Sequence, residues 1–345
     1  MMFQLLRKPA STTQKAAMNT FRLAVLSMTI AGSCNIALAQ SPAPATGYPS
    51  KPVRMIIGFA ASSGPDILGR VIAQNMVEGM GQPVIVENRT GAGGTLAAEA
   101  ASHAPADGYT LLLGTTSTVS IAPGVYPKLA YDPERSFVAI GNVATAPFFV
   151  VVHPGTNVSS VQELIELARA KPGLLSFASP GNATPHHIAG EMFKTATGVD
   201  MVHVPYKDMG VATNDFLAGR FQVMMQQLSP LEPHIRAGKL RAVAIGASSR
   251  SPLLPNVPTA AEAGVQGMEL LSWYGLFAPQ GTPATAVRRV NAELRKVLER
   301  KEVTERLAVL GFDSAAGTPE QFRSFISQQN ALWLRAVKVS GAKID

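Results

Sequence analysis

From residue 51 to the carboxyl end, short apolar runs rich in β-branched residues alternate with segments whose apolar residues recur every third or fourth position. No other feature of this chain constrains its fold as much. The run "KPVRMIIGF" (51–59) predicts a strand, and a helix near 64–79 follows it, with Ile67 and Val71, and Leu68, Ile72 and Met76, at i, i+4 spacing. Further strands are predicted at 83–87, 109–114, 136–141, 147–153, 174–179, 201–206, 221–225 and 241–247. A helix is predicted near 94–103, and Ser160 with Glu163 predicts a capping box ahead of "VQELIELARA". Thr184-Pro185, Thr282-Pro283 and Thr318-Pro319 mark further helix starts, the last with Gln321 completing a capping box. Strands alternating with helices build βαβ units, so the predicted class is α/β with a mainly parallel sheet.

In such sheets ligands sit beyond the carboxyl ends of the strands, over helix N-termini. Four loops following predicted strands are rich in glycine or small hydroxyl residues: "FAASSGPD" (59–66), "RTGAGGT" (89–95), "GTTSTVS" (114–120) and "ASPGNATPHH" (178–187). They come from both halves of the chain, which predicts two α/β lobes facing each other across a cleft. In the last loop, Ser179, Gly181, Asn182 and Ala183 lead into Thr184, an N-cap with Pro185 at the first helical position. A helix start of this kind offers free N–H donors and about half a positive charge to a carboxylate, although an ordinary capped helix has the same sequence. In the first loop Ser63 is placed to cap, Asp66 to reach back, and Ser62 and Ser63 to offer hydroxyls to a ligand or to their own backbone. Thr115, Thr116 and Ser117 form a polar cluster at the end of a buried strand, unusual for a plain turn.

The glycines Gly91, Gly93 and Gly94 after "PVIVE" resemble a phosphate cradle, but a dinucleotide site needs an acid about 20 residues later. The strand that follows ends in "GTTSTVS", and no acid appears between Asp107 and Asp132 in that region. No Gly-Lys-Ser/Thr is present either, so the glycines are assigned to tight helix–sheet packing near the cleft, and no cofactor is expected. There is no G-x-S-x-G elbow and no H-E-x-x-H. His186 and His187 are adjacent, about 100° apart on a helix, and share a metal poorly. His203 alternates with Val202 and Val204 and reads as a strand-surface residue. No catalytic residue and no metal site is expected.

Residues 1–39 carry Arg7, Lys8, Lys15 and Arg22, no acid, and an apolar run ending in Ala37-Leu38-Ala39. This predicts a secretory signal peptide, with Met18 an alternative start and a lipidated Cys34 the rival reading. Cys34, the only cysteine, lies inside that leader, which leaves the mature chain without disulfides or thiolates. Without the leader's four cations the formal charge falls from +7 to about +3, so nucleic acid is not an expected partner.

At "YPSKPVRMIIGF", "GQPVIVENRTGAGG", "ADGYTLLLGTTST", "GNATPHHIAGEMFK", "VHVPYK", "AGKLRAVAIGASSRSPLLPNVPTAAEAG" and "WYGLFAPQGTP" the chain strongly resembles the periplasmic solute receptors of the tripartite tricarboxylate transporter family, also called Bug receptors. The resemblance covers 48–345. It implies a bilobal periplasmic-binding-protein fold of type II-like build around a central ligand cleft. Lobe 1 would comprise 48–146 plus 275–345, lobe 2 would comprise 147–274, and the strands between them would cross near 144–149 and 272–277. It further implies a monomer in the periplasm that binds a small organic carboxylate and delivers it to membrane permease subunits. Carried across, the carboxylate-holding loops are Phe59 to Asp66, Thr115 to Ser117 and Ser179 to Thr184, with Lys207 and Gln226 at the cleft. Three departures from the family pattern stand out: Ala61-Ser62-Ser63 for Pro-Gly-Gly, Asp208-Met209 for Gly-Ser, and Gln222 and Gln226 where acids are usual. Fewer acids favour a mono- or dicarboxylate without an amine. A receptor feeding a sensor kinase, and a secreted hydrolase, are the competing readings. A hydrolase would need a nucleophile–base pair.

Overall fold

The computed structural model describes residues 47–342, so the expected leader at 1–39 lies outside the described residues. The elements run β1 (Val53–Ile57), α1 (Gly64–Met80), β2 (Val84–Asn88), α2 (Thr95–Ser102), β3 (Thr110–Thr115), α3 (Ala122–Val125), β4 (Phe137–Pro147), β5 (Phe149–Val152), α4 (Val161–Ala170), β6 (Ser176–Ser179) and α5 (Pro185–Thr197). They continue with β7 (Val202–Pro205), α6 (Met209–Leu217), β8 (Val223–Gln226), α7 (Glu232–Arg236), β9 (Arg241–Ile245), β10 (Leu271–Pro279), α8 (Ala284–Glu299), α9 (Lys301–Val309), β11 (Asp313–Ser314) and α10 (Pro319–Ser340). A π-helical turn, Thr116–Ile121, joins β3 to α3.

These strands form two sheets, which makes the fold bilobal α/β. One has the order β11-β4-β10-β3-β1-β2 and the other β7-β6-β8-β5-β9. The expectation of a mainly parallel sheet is corrected. The pairs β1–β2, β1–β3, β6–β7 and β6–β8 are parallel, but β3–β10, β10–β4, β4–β11, β8–β5 and β5–β9 are antiparallel. The apolar period of a strand reports its burial, not the direction of its partner. The strand expected at 136–141 also continues to Pro147, because β10 pairs with it along its whole length through two register shifts. At Phe148 the chain leaves the first sheet for the second. The Phe148 N–H donates to the Leu270 carbonyl, and its own carbonyl accepts from Gly246 N–H.

Each sheet is covered on both faces. Met55, Ile57, Leu68, Ile72 and Leu294 fill one side of the first sheet, and Ile56, Leu112, Trp273, Phe277 and Phe322 the other. In the second, Val150, Phe177, Ile188 and Phe193 share a core with Leu164, while Phe149, Phe216, Phe221 and Met224 fill the opposite face. Helix α10 belongs to both halves. Phe322 packs beneath the first sheet, whereas Trp333, Ala336 and Val337 join the second sheet's core.

The caps partly follow the sequence. Thr318 and Gln321 make the full capping box. Ser160 accepts from Glu163 N–H, but the Glu163 carboxylate reaches Ser159 in place of Ser160. Thr282 does not cap α8 either, because its hydroxyl turns back to the Pro279 carbonyl.

Candidate functional site

Three of the four sequence-selected loops lie at the carboxyl ends of β1, β3 and β6, and each leads into a helical start. The first runs from Phe59 to Asp66. Asp66 is buried at 2% exposure, and both carboxylate oxygens are engaged. They accept from Ser62 N–H at 2.8 Å, Asn88 Nδ2 at 2.8 Å and Arg70 Nε at 3.0 Å. Burial pushes its pKa up, but the hydrogen bonds from Arg70, Asn88 and Ser62 outweigh that and hold it below the usual carboxylate range. Asn88 Nδ2 also donates to the Phe59 carbonyl. Asp66 therefore clamps the loop from behind and has no oxygen left to offer a ligand. Ser62, exposed, is held at φ +66°, a left-handed conformation that a non-glycine residue adopts at a cost of about 1–3 kcal/mol. Ser63 occupies the N-cap position of α1 but makes no capping bond, contrary to expectation. Its Oγ is buried without a partner among the described residues. The Ser63 backbone has the extended N-cap conformation, but Asp66 reaches past it and accepts from the Ser62 N–H instead.

The loop after β3 is an unexpected π turn. Thr115 caps it reciprocally with Thr118, and Thr116 Oγ1 accepts from Trp273 N–H at 2.7 Å, tying the turn to β10. Ser117 is half-buried at the turn's second position. π turns of this kind are frequent at functional sites. The glycine cluster does what its packing assignment requires. A Cβ on Gly58 would stand 2.6 Å from Gly94 Cα, and one on Gly94 would stand 2.8 Å from Thr118 Cγ2 and 3.3 Å from the Phe59 ring. The backbones touch, which brings the first two loops side by side. The π turn in turn packs against α5.

The loop after β6 is held by hydroxyls and histidines. Thr184 caps α5 by accepting from His187 N–H and donates to the Gly181 carbonyl. Ser179, fully buried, bonds the Gly181 carbonyl at 2.8 Å and lies 2.6 Å from His203 Nε2. Ala183 is held at φ +58° and Gly181 at +122°, while Asn182 is exposed at the crest. His203 was read as a strand-surface residue, which is corrected here. It faces inward, stacked at 4.0 Å on His187 and at 5.0 Å from Phe177, while its neighbour Val202 points out. Burial and the nearby His187 and Lys194 push its pKa down to about 4. The signal was in the sequence: in a strand that pairs Phe177 with His203, alternation puts either His203 or the two valines inside.

Gln226 ends β8, 4% exposed. Its Oε1 accepts from Gln227 N–H at 2.9 Å and lies 2.8 Å from His186 Nε2. His186, weighed in the sequence only as a metal ligand, also lies 3.1 Å from Gln227 Oε1, and Gln227 Nε2 donates to Ser272 Oγ on β10. Lys207 is exposed past the end of β7. Two departures from the family pattern are structural. Asp208 is the N-cap of α6, accepting from Gly210 and Val211 N–H groups. Gln222 binds Ser176 at the amino ends of β6 and β8, opposite the loops.

Two lobes that present strained loops over helical N-termini define the architecture of a solute-binding protein. The model for the Tripartite tricarboxylate transporter family receptor matches residues 68–341, and the chain belongs to that family. Protein BugT of Bordetella pertussis is 34% identical over 305 residues, covering 88% of this chain and 94% of that protein. The solved structure of R. palustris Rpa4515 with adipate is 32% identical with a TM-score of 0.77, covering 86% of this chain and 100% of that one. MatC (Rpa3494) from Rhodopseudomonas palustris with bound malate is 31% identical with a TM-score of 0.73, covering 84% and 100%.

Proposed function

We propose that this chain is a periplasmic receptor that captures a small mono- or dicarboxylate between lobe 1 (48–146 plus 275–345) and lobe 2 (147–274). It then hands the ligand, as a monomer, to the membrane permease subunits of a tripartite transporter. The leader at 1–39 directs it there. The observation that carries this reading is the gathering of three helical starts, with Ser63, Thr115 and Thr184 at their N-cap positions, at the carboxyl ends of β1, β3 and β6. First-turn N–H groups have no intrahelical acceptor, and each start carries partial positive charge, so the three favour a carboxylate without an arginine clamp. The unpartnered Ser63 Oγ adds a hydroxyl donor. The adipate and malate bound by two relatives are ligands of this kind.

The protein acts by binding, without catalysis. Ser179 and His203 are close enough for a nucleophile–base pair, but Ser179 is buried and bonded within its own loop. With its pKa pushed down to about 4, His203 is a weak base. A thermal-shift screen of the mature chain against organic acids tests the proposal. A ligand at 100 times its Kd should stabilise the fold by about 2.7 kcal/mol. Stabilisation by amines or sugars and by no acid would overturn it.

A further inference from the structure

We infer that Gln227 is a positioning residue: its side chain is a strut between α5, the helix that follows the second lobe's ligand loop, and strand β10 of the first sheet, and it sets the angle at which the two lobes face the captured acid. The inference rests on the carboxylate-receptor reading above and adds to it a residue that acts without touching the ligand.

Hydrogen placement fixes the direction of the strut. Gln226 Oε1 is the oxygen of its amide, because it accepts from the Gln227 backbone N–H at 2.9 Å. His186 Nε2, 2.8 Å from that oxygen, therefore carries a proton. The same N–H faces the Gln227 amide at 3.1 Å, which must present its oxygen there. Gln227 Nε2 is left to donate to Ser272 Oγ at 2.9 Å. One amide thus accepts from α5 and donates to β10, and turning it over would set two donors head-on at the ring.

The ends of the strut give it a role. His186 lies in the first turn of α5, two residues after the Thr184 cap, and its ring meets Phe148 edge-on at 5.1 Å, where the chain passes between the sheets. Ser272 pairs with Ala146 where β4 and β10 approach that passage. The segment carrying Gln227 meets the first half of the molecule a second time. A Cβ on Gly311, in the turn before β11, would stand 2.8 Å from Ser229 Cβ and 3.1 Å from Ser229 N. Bare backbone of this kind stops an approach but holds nothing. Elsewhere the halves are joined by apolar packing, with Ile121 and Val125 beyond the π turn sharing a core with Ile188, Phe193 and Trp333. Apolar burial holds surfaces together without direction. A hydrogen bond has a preferred length and angle, so the Gln227 strut adds the direction that the packing lacks.

The test is calorimetric titration of the mature chain with malate, succinate, adipate and citrate, beside Gln227→Met, Ser272→Ala and the double variant. A residue that acts by setting the lobes changes the fraction of binding-competent protein, and that fraction scales every Kd alike. Each single variant should weaken all the acids that bind by one common factor of about three to ten, the worth of a neutral hydrogen bond. The double variant should be no weaker than Gln227→Met, because both changes remove the same bond. A second measurement needs no ligand. Spin labels on Leu174→Cys and Val309→Cys, exposed positions in lobe 2 and lobe 1, should show a broader distance distribution once Gln227→Met is added. Unchanged affinities, additive losses, or losses that differ from acid to acid would overturn the inference and leave the carboxylate reading standing. If none of the four acids binds, the carboxylate reading fails, and an unchanged label distribution would remove the strut as well.

Discussion

The loops facing each other from the two lobes perform the same task by opposite means. Each must hold a helix start open and keep one non-glycine residue at positive φ, Ser62 in the first and Ala183 in the second. In the first lobe a buried charge does this. Asp66, paired with Arg70 and Asn88, grips the loop from behind, and the Ser63 hydroxyl stays uncommitted. In the second lobe the loop is held by neutral groups: Ser179, Thr184 and a stack of two histidines. A hydroxyl can serve the ligand or its own loop, and the clamp behind the loop decides which.

The largest expected effect breaks the charged clamp. Asp66→Ala removes the shared acceptor of three hydrogen-bond donors and leaves Ser62 N–H without a partner and Asn88 Nδ2 with the Phe59 carbonyl alone, so it should cost roughly 2–4 kcal/mol of stability. Urea unfolding measures this, and a loss below 1 kcal/mol would show that the loop does not depend on Asp66. Next comes Ser63→Ala, which should leave stability unchanged because its hydroxyl bonds nothing among the described residues. Affinity should fall about 10- to 150-fold, the range for one hydrogen bond to a charged group. Equal affinity in titration would place the ligand elsewhere.

The third prediction sharpens the comparison through pH. His203 has a folded pKa of about 4 against an ordinary value of 6.5, so between those values the unfolded chain binds a proton that the folded chain refuses. Stability from this ring is complete above about pH 6.5 and is lost as the pH falls toward 4. His187, on which it stacks, is shifted the same way by burial, with Glu191 opposing and Lys194 reinforcing. Asp66, shifted down, keeps its contribution until the pH falls below the usual carboxylate range. On acidification the second lobe's loop should therefore loosen first. The loss should be about 1–2 kcal/mol, discounted because the His203 ring is only half-buried. Hydrogen exchange at pH 7 and pH 5 checks the order, and His203→Asn should flatten the change around Ser179 to Thr184. Thr184→Ala should cost about 1 kcal/mol of stability as an ordinary lost cap. Smallest of all, Lys207→Met should alter affinity by less than about threefold, since an exposed charge is screened at physiological salt. A larger loss there than in Ser63→Ala would reverse the assignment of the site.

Much of this was readable beforehand, for definite reasons. The loops of interest and the Thr184 and Thr318 caps depend on neighbours within a few residues, and such signals survive in sequence. What escaped depended on partners far along the chain. Ser63 is the exception: its partners are local, but an Asp at this position can reach Ser62 as readily as the capping position. His203 looked exposed because the side of β7 that turns inward is set by Phe177, 26 residues earlier. The antiparallel half of both sheets was hidden because β4 and β10 find each other across more than 120 residues. His186 was weighed only as a metal ligand, because its partners Gln226, Gln227 and Ser272 come from two other strands' ends.

Helix α10 has a mechanical consequence. One end is seated among Phe277 and Trp273, the other among Phe193 and Ile188. A rod anchored in two different blocks acts as a tie bar: it fixes the separation of its seats and leaves free only rotations about its own length. Any widening of the mouth that drew the blocks straight apart would have to unseat Trp333, fully buried, at a cost of about 3–5 kcal/mol. The travel left to the lobes is a twist, and its stop is set at the far end of the chain from every loop proposed to hold the ligand.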